Sequence, residues 1–127
     1  MARVYVVCYL DKFFTQDTGD IGSEGEFYFM CNKKRYPDHG VIKLGKKETF
    51  DPEPNPILFA GMYDSGKTKE VKFDVEVWEE DPGRDDKFID KEFKLSLSPM
   101  NEKIELSDKK KRCTLSIVVK IEEAKNW

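Results

Sequence analysis

Residues 71–90 constrain the fold more than any other stretch, because a strand pattern ends there in a cluster of acids. From residue 71 to 77, apolar residues alternate with Lys72, Asp74 and Glu76. Such a period of two is typical of a β-strand with one buried face. The stretch therefore predicts a strand whose valines and Phe73 lie in the core, followed by an acidic turn.

The turn after this strand is the first candidate site. It holds five carboxylates within eight residues, broken by Pro82 and Gly83; they are Glu79, Glu80, Asp81, Asp85 and Asp86. Carboxylates so close together repel one another unless a cation or basic side chains compensate them. The residues alone leave two interpretations: the loop holds a metal ion, or it is a solvated turn that Arg84 and Lys87 neutralise.

Seven further segments are rich in β-branched and aromatic residues and read as strands. They are residues 3–10, 26–31, 41–44, 57–63, 93–97, 104–106 and 113–121. No segment keeps a helical period over three turns. The pattern predicts an all-β fold, a single antiparallel β-sandwich of about eight strands with residues 1–127 as one domain.

The connections carry the rest of the charge. The sequence predicts a long polar loop over residues 11–25, a basic turn over 32–40, an edge or connection over 49–56 and a tail over 122–127. Three aromatic residues near the loops either pack in the core or insert into a membrane; they are Phe13, Phe14 and Phe88. The cations of residues 33–35 and 109–112 form either solvated faces or a patch for anionic lipid.

Composition excludes several classes of protein. The formal net charge of −3 argues against a nucleic-acid binder, which needs a basic face. No apolar run approaches a membrane span and no secretory signal pattern is present, so we expect a cytoplasmic protein. Cys8, Cys31 and Cys113 fall in strand patterns, which predicts buried free thiols and no structural zinc site.

Catalysis is not expected. The single histidine, His39, lies in a Pro-Asp-His-Gly turn, which is typical of a surface residue. The sequence lacks the nucleophile-elbow, zinc-protease and phosphate-loop motifs, and nothing in it indicates a cleft between paired carboxylates. We therefore expect a binding module and not an enzyme.

A calcium site requires several oxygen ligands, usually carboxylates and backbone carbonyls. Alternate residues at a strand end project to one side, so Glu79 and Asp81 can meet at one ion, and Gly83 lets Asp85 or Asp86 return to it. A second loop must complete the shell. Its available donors are Asp17, Asp20, Glu24 and Glu26.

The chain resembles a C2 domain along nearly its whole length. The segment VEVWEEDPGRDDKFID is similar to the family's third calcium loop, V-x-V-x-D-x-D…D-D-F-I-G, with Glu79, Asp81 and Asp86 (or Asp85) at the ligand positions. Asp20-Ile21-Gly22, with Glu24 or Glu26 ahead of Phe27, resembles the first loop. Departures are Glu79 in place of Asp, the inserted Lys87, Asp90 in place of Gly, and Gly25-Glu26 in place of Asp-Pro.

This resemblance implies calcium-dependent docking on an anionic phospholipid membrane, with the module peripheral to that membrane, or binding to a protein partner without calcium. The alternative is a carbohydrate-binding or structural β-sandwich. There, Trp78 and Trp127 would stack on sugar, and the acidic loop would be a solvated turn or hold a structural calcium. The sequence leaves the oligomeric state open.

Overall fold

The computed structural model describes residues 3–17 and 24–124. The predicted all-β sandwich is confirmed, with ten strands in the described part of the chain where about eight were expected. They are β1 (Arg3–Thr15), β2 (Gly25–Cys31), β3 (Lys34–Tyr36), β4 (Ile42–Leu44), β5 (Glu48–Phe50), β6 (Ile57–Asp64), β7 (Glu70–Glu79), β8 (Asp86–Ser96), β9 (Met100–Ser107) and β10 (Cys113–Ala124).

Five strands form each antiparallel sheet. In the first sheet, β1 lies between β10 on one edge and both β5 and β6 on the other, and β9 follows β10. In the second, β2 lies between β7 on one edge and both β3 and β4 on the other, and β8 follows β7. The described residues contain no helix that could cross a membrane.

The core lies between the two sheets and is built from the inward-facing residues of their central strands. The alternation predicted for β7 is confirmed, since Val71, Phe73, Val75 and Val77 are all buried. Aromatic rings join the layers: Phe13 of β1 meets the rings of Phe27 and Phe29 edge-on, each at 5.1 Å. Such edge-to-face contacts add to the apolar burial that stabilises a sandwich.

The predicted polar loop over residues 11–25 begins later than expected, because β1 continues to Thr15. A bulge between Leu10 and Lys12 shifts the pairing with β10. Because of this extra residue, Leu10 and Phe13 both face the core, although strict alternation would place them on opposite faces. The bulged Asp11 accepts a hydrogen bond from Ser116 and pairs with Lys103, which satisfies its carboxylate.

Two other connections are also more ordered than the sequence indicated. The predicted basic turn over residues 32–40 contains β3, which pairs with β2. The predicted tail over residues 122–127 overlaps the last strand, since β10 runs to Ala124 and its last residues pair with the start of β1. Residues 49–56 were expected at an edge, and β5 does lie on the outer edge of the first sheet. Trp127 lies outside the described residues.

Candidate metal site

One end of the sandwich gathers the strand ends that carry the acidic turn. Thr15 at the end of β1 pairs with Cys113 at the start of β10, and Glu79 at the end of β7 pairs with Phe27 near the start of β2. A backbone hydrogen bond fixes the start of the acidic turn to β2: the N–H of Glu80 donates to the carbonyl of Glu26 at 2.7 Å. The turn over residues 80–85 therefore starts from a fixed position.

Three carboxylates of this turn converge. Glu79, Asp81 and Asp86 each place one oxygen so that all three oxygens lie within 4.8 Å of one another. Glu79 and Asp86 pair directly as the last residue of β7 and the first of β8. The residue Glu79 is only 3% exposed, whereas Asp86 is exposed to solvent. The group thus joins the edge of the core to the surface.

Gly25 makes room for the buried member of this group. A Cβ atom built on Gly25 would lie 2.9 Å from Oε2 of Glu79, and closer still to the ring of Phe27. A larger residue would therefore displace the Glu79 carboxylate or the Phe27 ring. Sequence analysis named this glycine only as a departure from the first-loop motif and gave it no role in the site. The signal available was a glycine at the start of a strand, a position that often marks close approach of another group.

Asp85 belongs to the same turn but is held elsewhere. Its Oδ2 accepts a hydrogen bond of 2.6 Å from the hydroxyl of Tyr28, and its Oδ1 accepts one of 3.3 Å from the N–H of Asp81. Burial and the hydrogen bond to Asp85 raise the pKa of Tyr28 to about 12. Asp85 therefore anchors the turn to β2, and Asp86 is the neighbour that joins Glu79 and Asp81.

Of the first-loop residues proposed as ligands, the three that the structure describes are not part of the converging group. Asp17 and Glu24 are exposed on either side of the loop, and Asp20 lies outside the described residues. Glu26 alternates with the buried Gly25 and Phe27, so it lies on the outer face of β2. Of the eight residues predicted as metal ligands, the structure brings together Glu79, Asp81 and Asp86 among those it describes.

Of the two cations that could neutralise the turn, Lys87 is engaged with other side chains. Lys87 pairs with Glu76 at 2.9 Å and with Asp90 at 3.2 Å, and these hydrogen bonds raise the pKa of its ammonium group. Its Nζ also lies 5.1 Å from the centroid of the Trp78 ring. Arg84 is exposed. The inserted Lys87 therefore binds the outer face of the second sheet.

The turn between β9 and β10 lies beside the acidic turn and is closed by an internal ion pair. The buried Asp108 accepts hydrogen bonds from the N–H groups of Arg112 and Cys113 and from Nε of Arg112 at 2.8 Å. The Arg112 guanidinium lies 3.7 Å from the ring centroid of Phe88. Phe88 and Phe13 are both buried, so the core interpretation of these two aromatics is confirmed.

Burial opposes ionisation of Asp108, but its hydrogen bonds from Arg112 and Cys113 outweigh that effect and lower its pKa below the usual range. The three cysteines are buried free thiols, as predicted. Burial raises the pKa of Cys8, Cys31 and Cys113 to about 12, so they are protonated and inert at neutral pH. His39 is exposed, as expected of a turn residue.

The converging carboxylates fit a calcium ion in donor chemistry and in spacing. Oxygens bound to one calcium lie about 2.3–2.6 Å from it, so any two of them are at most about 5 Å apart. The three oxygens here meet that limit. Calcium takes about six to eight oxygen ligands, so carbonyls, water or the flanking first loop would have to complete the shell.

Comparison with known proteins finds solved structures of similar fold but no match by sequence. No protein-family model and no curated protein sequence matches the chain. A solved structure of a C2 domain protein from Ramazzottius varieornatus matches 94% of this chain and 88% of its own chain, with a TM-score of 0.53 and 10% identity.

Human GIVD cytosolic phospholipase A2 matches 99% of this chain with a TM-score of 0.55 and 16% identity; that structure is a complex with a fluorophosphonate inhibitor and terbium chloride. The present chain spans only 18% of the length of the phospholipase. The chain therefore has the fold of a C2 domain, as its sequence pattern indicated.

Proposed function

We propose that this protein is a non-catalytic module that binds calcium at one end of the sandwich and then docks on an anionic phospholipid membrane. The observation that carries the proposal is the convergence of Glu79, Asp81 and Asp86, each with an oxygen within 4.8 Å of the others. Glu79 would supply a buried ligand, and Asp81 and Asp86 would supply ligands nearer the solvent. A bound calcium would neutralise the negative charge of these three carboxylates.

Electrostatics link the ion to the membrane. Without a cation, the acidic turn repels lipid phosphates, because both carry negative charge. Calcium reverses the local field and can share its remaining ligand positions with phosphate oxygens. Lys109, Lys110 and Lys111 are exposed in the neighbouring turn, beside the acidic turn. Once the carboxylates are compensated, these lysines make this end of the molecule attractive to an anionic surface.

Charge, and not apolar insertion, is the expected mode of docking. Phe13 and Phe88 are in the core, so neither is available to enter the bilayer interface, and Phe14 is half-buried on the other face of β1. Binding driven by lysines and a bound ion weakens as ionic strength rises, because salt screens both attractions. The proposal therefore includes strong salt dependence of membrane binding.

The shared fold supports this proposal, but the proposal rests on the convergence of the three carboxylates. A C2 domain protein shares the architecture over most of both chains. The activity of the phospholipase is not transferred, since the likeness covers a small part of that enzyme.

Trp78 does not favour the carbohydrate alternative. Its ring stacks parallel to that of Tyr28 at a centroid distance of 6.2 Å, and Lys87 lies over it. The ring is thus already engaged within the outer face of the second sheet, where a sugar would have to displace the Lys87 contact to stack on it.

Sedimentation with phospholipid vesicles tests the proposal. Vesicles of phosphatidylserine and phosphatidylcholine should pellet the protein in calcium and release it in chelator, and pure phosphatidylcholine should not pellet it. The double variant Asp81→Asn/Asp86→Asn should lose the calcium dependence, so that it pellets to the same extent in calcium and in chelator. Asp51→Asn is the matched control, because Asp51 is an exposed acid outside the acidic turn. An equal calcium-dependent rise in pelleting for the wild type and the double variant would contradict the proposal.

A further inference from the structure

The outer edge of β6 differs from the other long edges of the two sheets. In the described residues, β1 is the only strand that pairs with β6, so from Ile57 to Tyr63 the other side of β6 presents unpaired backbone N–H and C=O groups. The other long edge strands, β8 and β9, carry charged residues along their length. Between Ile57 and Tyr63, β6 carries none. Charged side chains are the usual protection of an exposed edge, and here that protection is missing.

The outer face next to this edge is apolar. Ile57 and Met62 are the large hydrophobic residues that are most exposed in the described chain, at 54% and 49%. Along the pairing with β1, Ile57 lies opposite Tyr9, and Met62 lies opposite Tyr5. An apolar strip therefore borders the unpaired edge, which is unusual for a surface in contact only with water.

Exposed charges of opposite sign flank β6. Its last residue, Asp64, and the nearby Glu70 are acids with partners of their own: Asp64 accepts from the N–H of Gly66 at 2.9 Å, and Glu70 pairs with Lys94 at 3.7 Å. The segment before the strand contains the exposed acids Asp51 and Glu53, and the turn after it contains the exposed cations Lys67 and Lys69. When a strand pairs antiparallel with a copy of itself, the start of one lies against the end of the other. Such pairing about a two-fold axis would set the acids of each copy beside the lysines of its partner.

We propose that β6 is a homodimer interface, in which two copies pair β6 antiparallel and join their first sheets into one continuous sheet. Three observations support a second copy as the occupant. The edge has unpaired backbone groups and no charged residue from Ile57 to Tyr63, the adjoining face is apolar, and the flanking charges are self-complementary. This inference is independent of calcium and of the proposed membrane function.

Sedimentation velocity of the full chain in chelator tests the inference. The wild type should shift from a mass near 14.8 kDa to twice that value as its concentration rises toward about 1 mM. Met62→Lys places a charge beside the edge and should weaken dimerisation by about tenfold or more. The matched control is Asn101→Lys, which adds a lysine to the exposed β9 edge and should leave the dimer unchanged.

A charge exchange tests the antiparallel arrangement and alters only exposed residues. One variant carries Asp51→Lys and Glu53→Lys, and a second carries Lys67→Glu and Lys69→Glu. Each alone should be monomeric, because like charges meet at both ends of the pair. An equimolar mixture should form heterodimers. A wild type that stays monomeric at all concentrations, or a mixture that does not associate, would overturn the proposal.

Discussion

The turn between β7 and β8 and the turn between β9 and β10 lie at the same end of the sandwich, and both consist mainly of charged residues. In the β9–β10 turn, the buried Asp108 is held by Arg112 and by backbone N–H groups. In the β7–β8 turn, Glu79, Asp81 and Asp86 converge on one another. An ion pair within the turn, such as that of Asp108 with Arg112, stabilises the turn itself. A group of neighbouring carboxylates, such as Glu79, Asp81 and Asp86, is suited to bind a cation from solution.

The largest effect should follow from removal of the internal pair. Asp108→Ala should lower the free energy of unfolding by about 3 kcal/mol, because it leaves two backbone N–H groups and Arg112 without their acceptor. Urea denaturation with calcium absent measures this loss. Asp81→Ala, in the turn with converging carboxylates, is the comparison variant and should cost far less. Equal losses for the two variants would remove the distinction between the turns.

Lowering the pH should progressively remove the stability that the ion pair of Asp108 contributes. The pKa of Asp108 is lower in the folded protein than the ordinary value of 3.8. Its contribution to stability is therefore complete above pH 3.8 and is lost as the pH falls through the folded pKa. The urea midpoint of the wild type should drop more steeply than that of Asp108→Asn in this range. Parallel curves would show that Asp108 has no such role.

The anchor of the acidic turn should have a smaller effect. Tyr28→Phe removes the hydroxyl that donates to Asp85 at 2.6 Å and should cost about 1 kcal/mol. Because Asp85 also accepts from the Asp81 N–H, calcium affinity should fall severalfold as the turn loosens. Calorimetry and urea denaturation measure both quantities. Tyr9→Phe is the control, since Tyr9 lies on the outer face of the first sheet; an equal effect there would contradict the anchor role.

The smallest effect should have the opposite sign. Asp86→Asn reduces repulsion within the converging group, so the calcium-free protein should gain about 0.5 kcal/mol of stability. In saturating calcium the same variant should be less stable than the wild type. Thermal unfolding with chelator and then with calcium tests this reversal. A variant less stable than the wild type in both conditions would show that Asp86 is structural.

Most of the fold could be predicted from the strand patterns in the sequence. Residues 71–77 alternate without exception, and the buried face of β7 follows from them. Phe13 was harder to place, because it follows the polar Asp11 and Lys12 and sits beyond a bulge that local sequence does not reveal. β3 has three residues and is positioned by its pairing with β2, so its own propensity gives little signal.

The converging carboxylates were predictable as a region of the chain but not as an atomic arrangement. The acidic turn and the membership of Glu79 and Asp81 follow from strand-end periodicity, since alternate residues face one side. The choice between Asp85 and Asp86 depends on the Tyr28 hydroxyl, which is distant in sequence. The place of Gly25 beside Glu79 depends on how β2 meets β7. Such non-local contacts decide geometry that no local pattern contains.

Isothermal titration of calcium into chelator-treated protein tests the central claim most directly. The account predicts saturable heat from the wild type, with a calcium-dependent rise in melting temperature, and loss of both in Asp81→Asn/Asp86→Asn. Asp51→Asn should bind like the wild type. Absence of heat and of any thermal shift at about 1 mM calcium, or unchanged binding by the double variant, would contradict a calcium site formed by Glu79, Asp81 and Asp86.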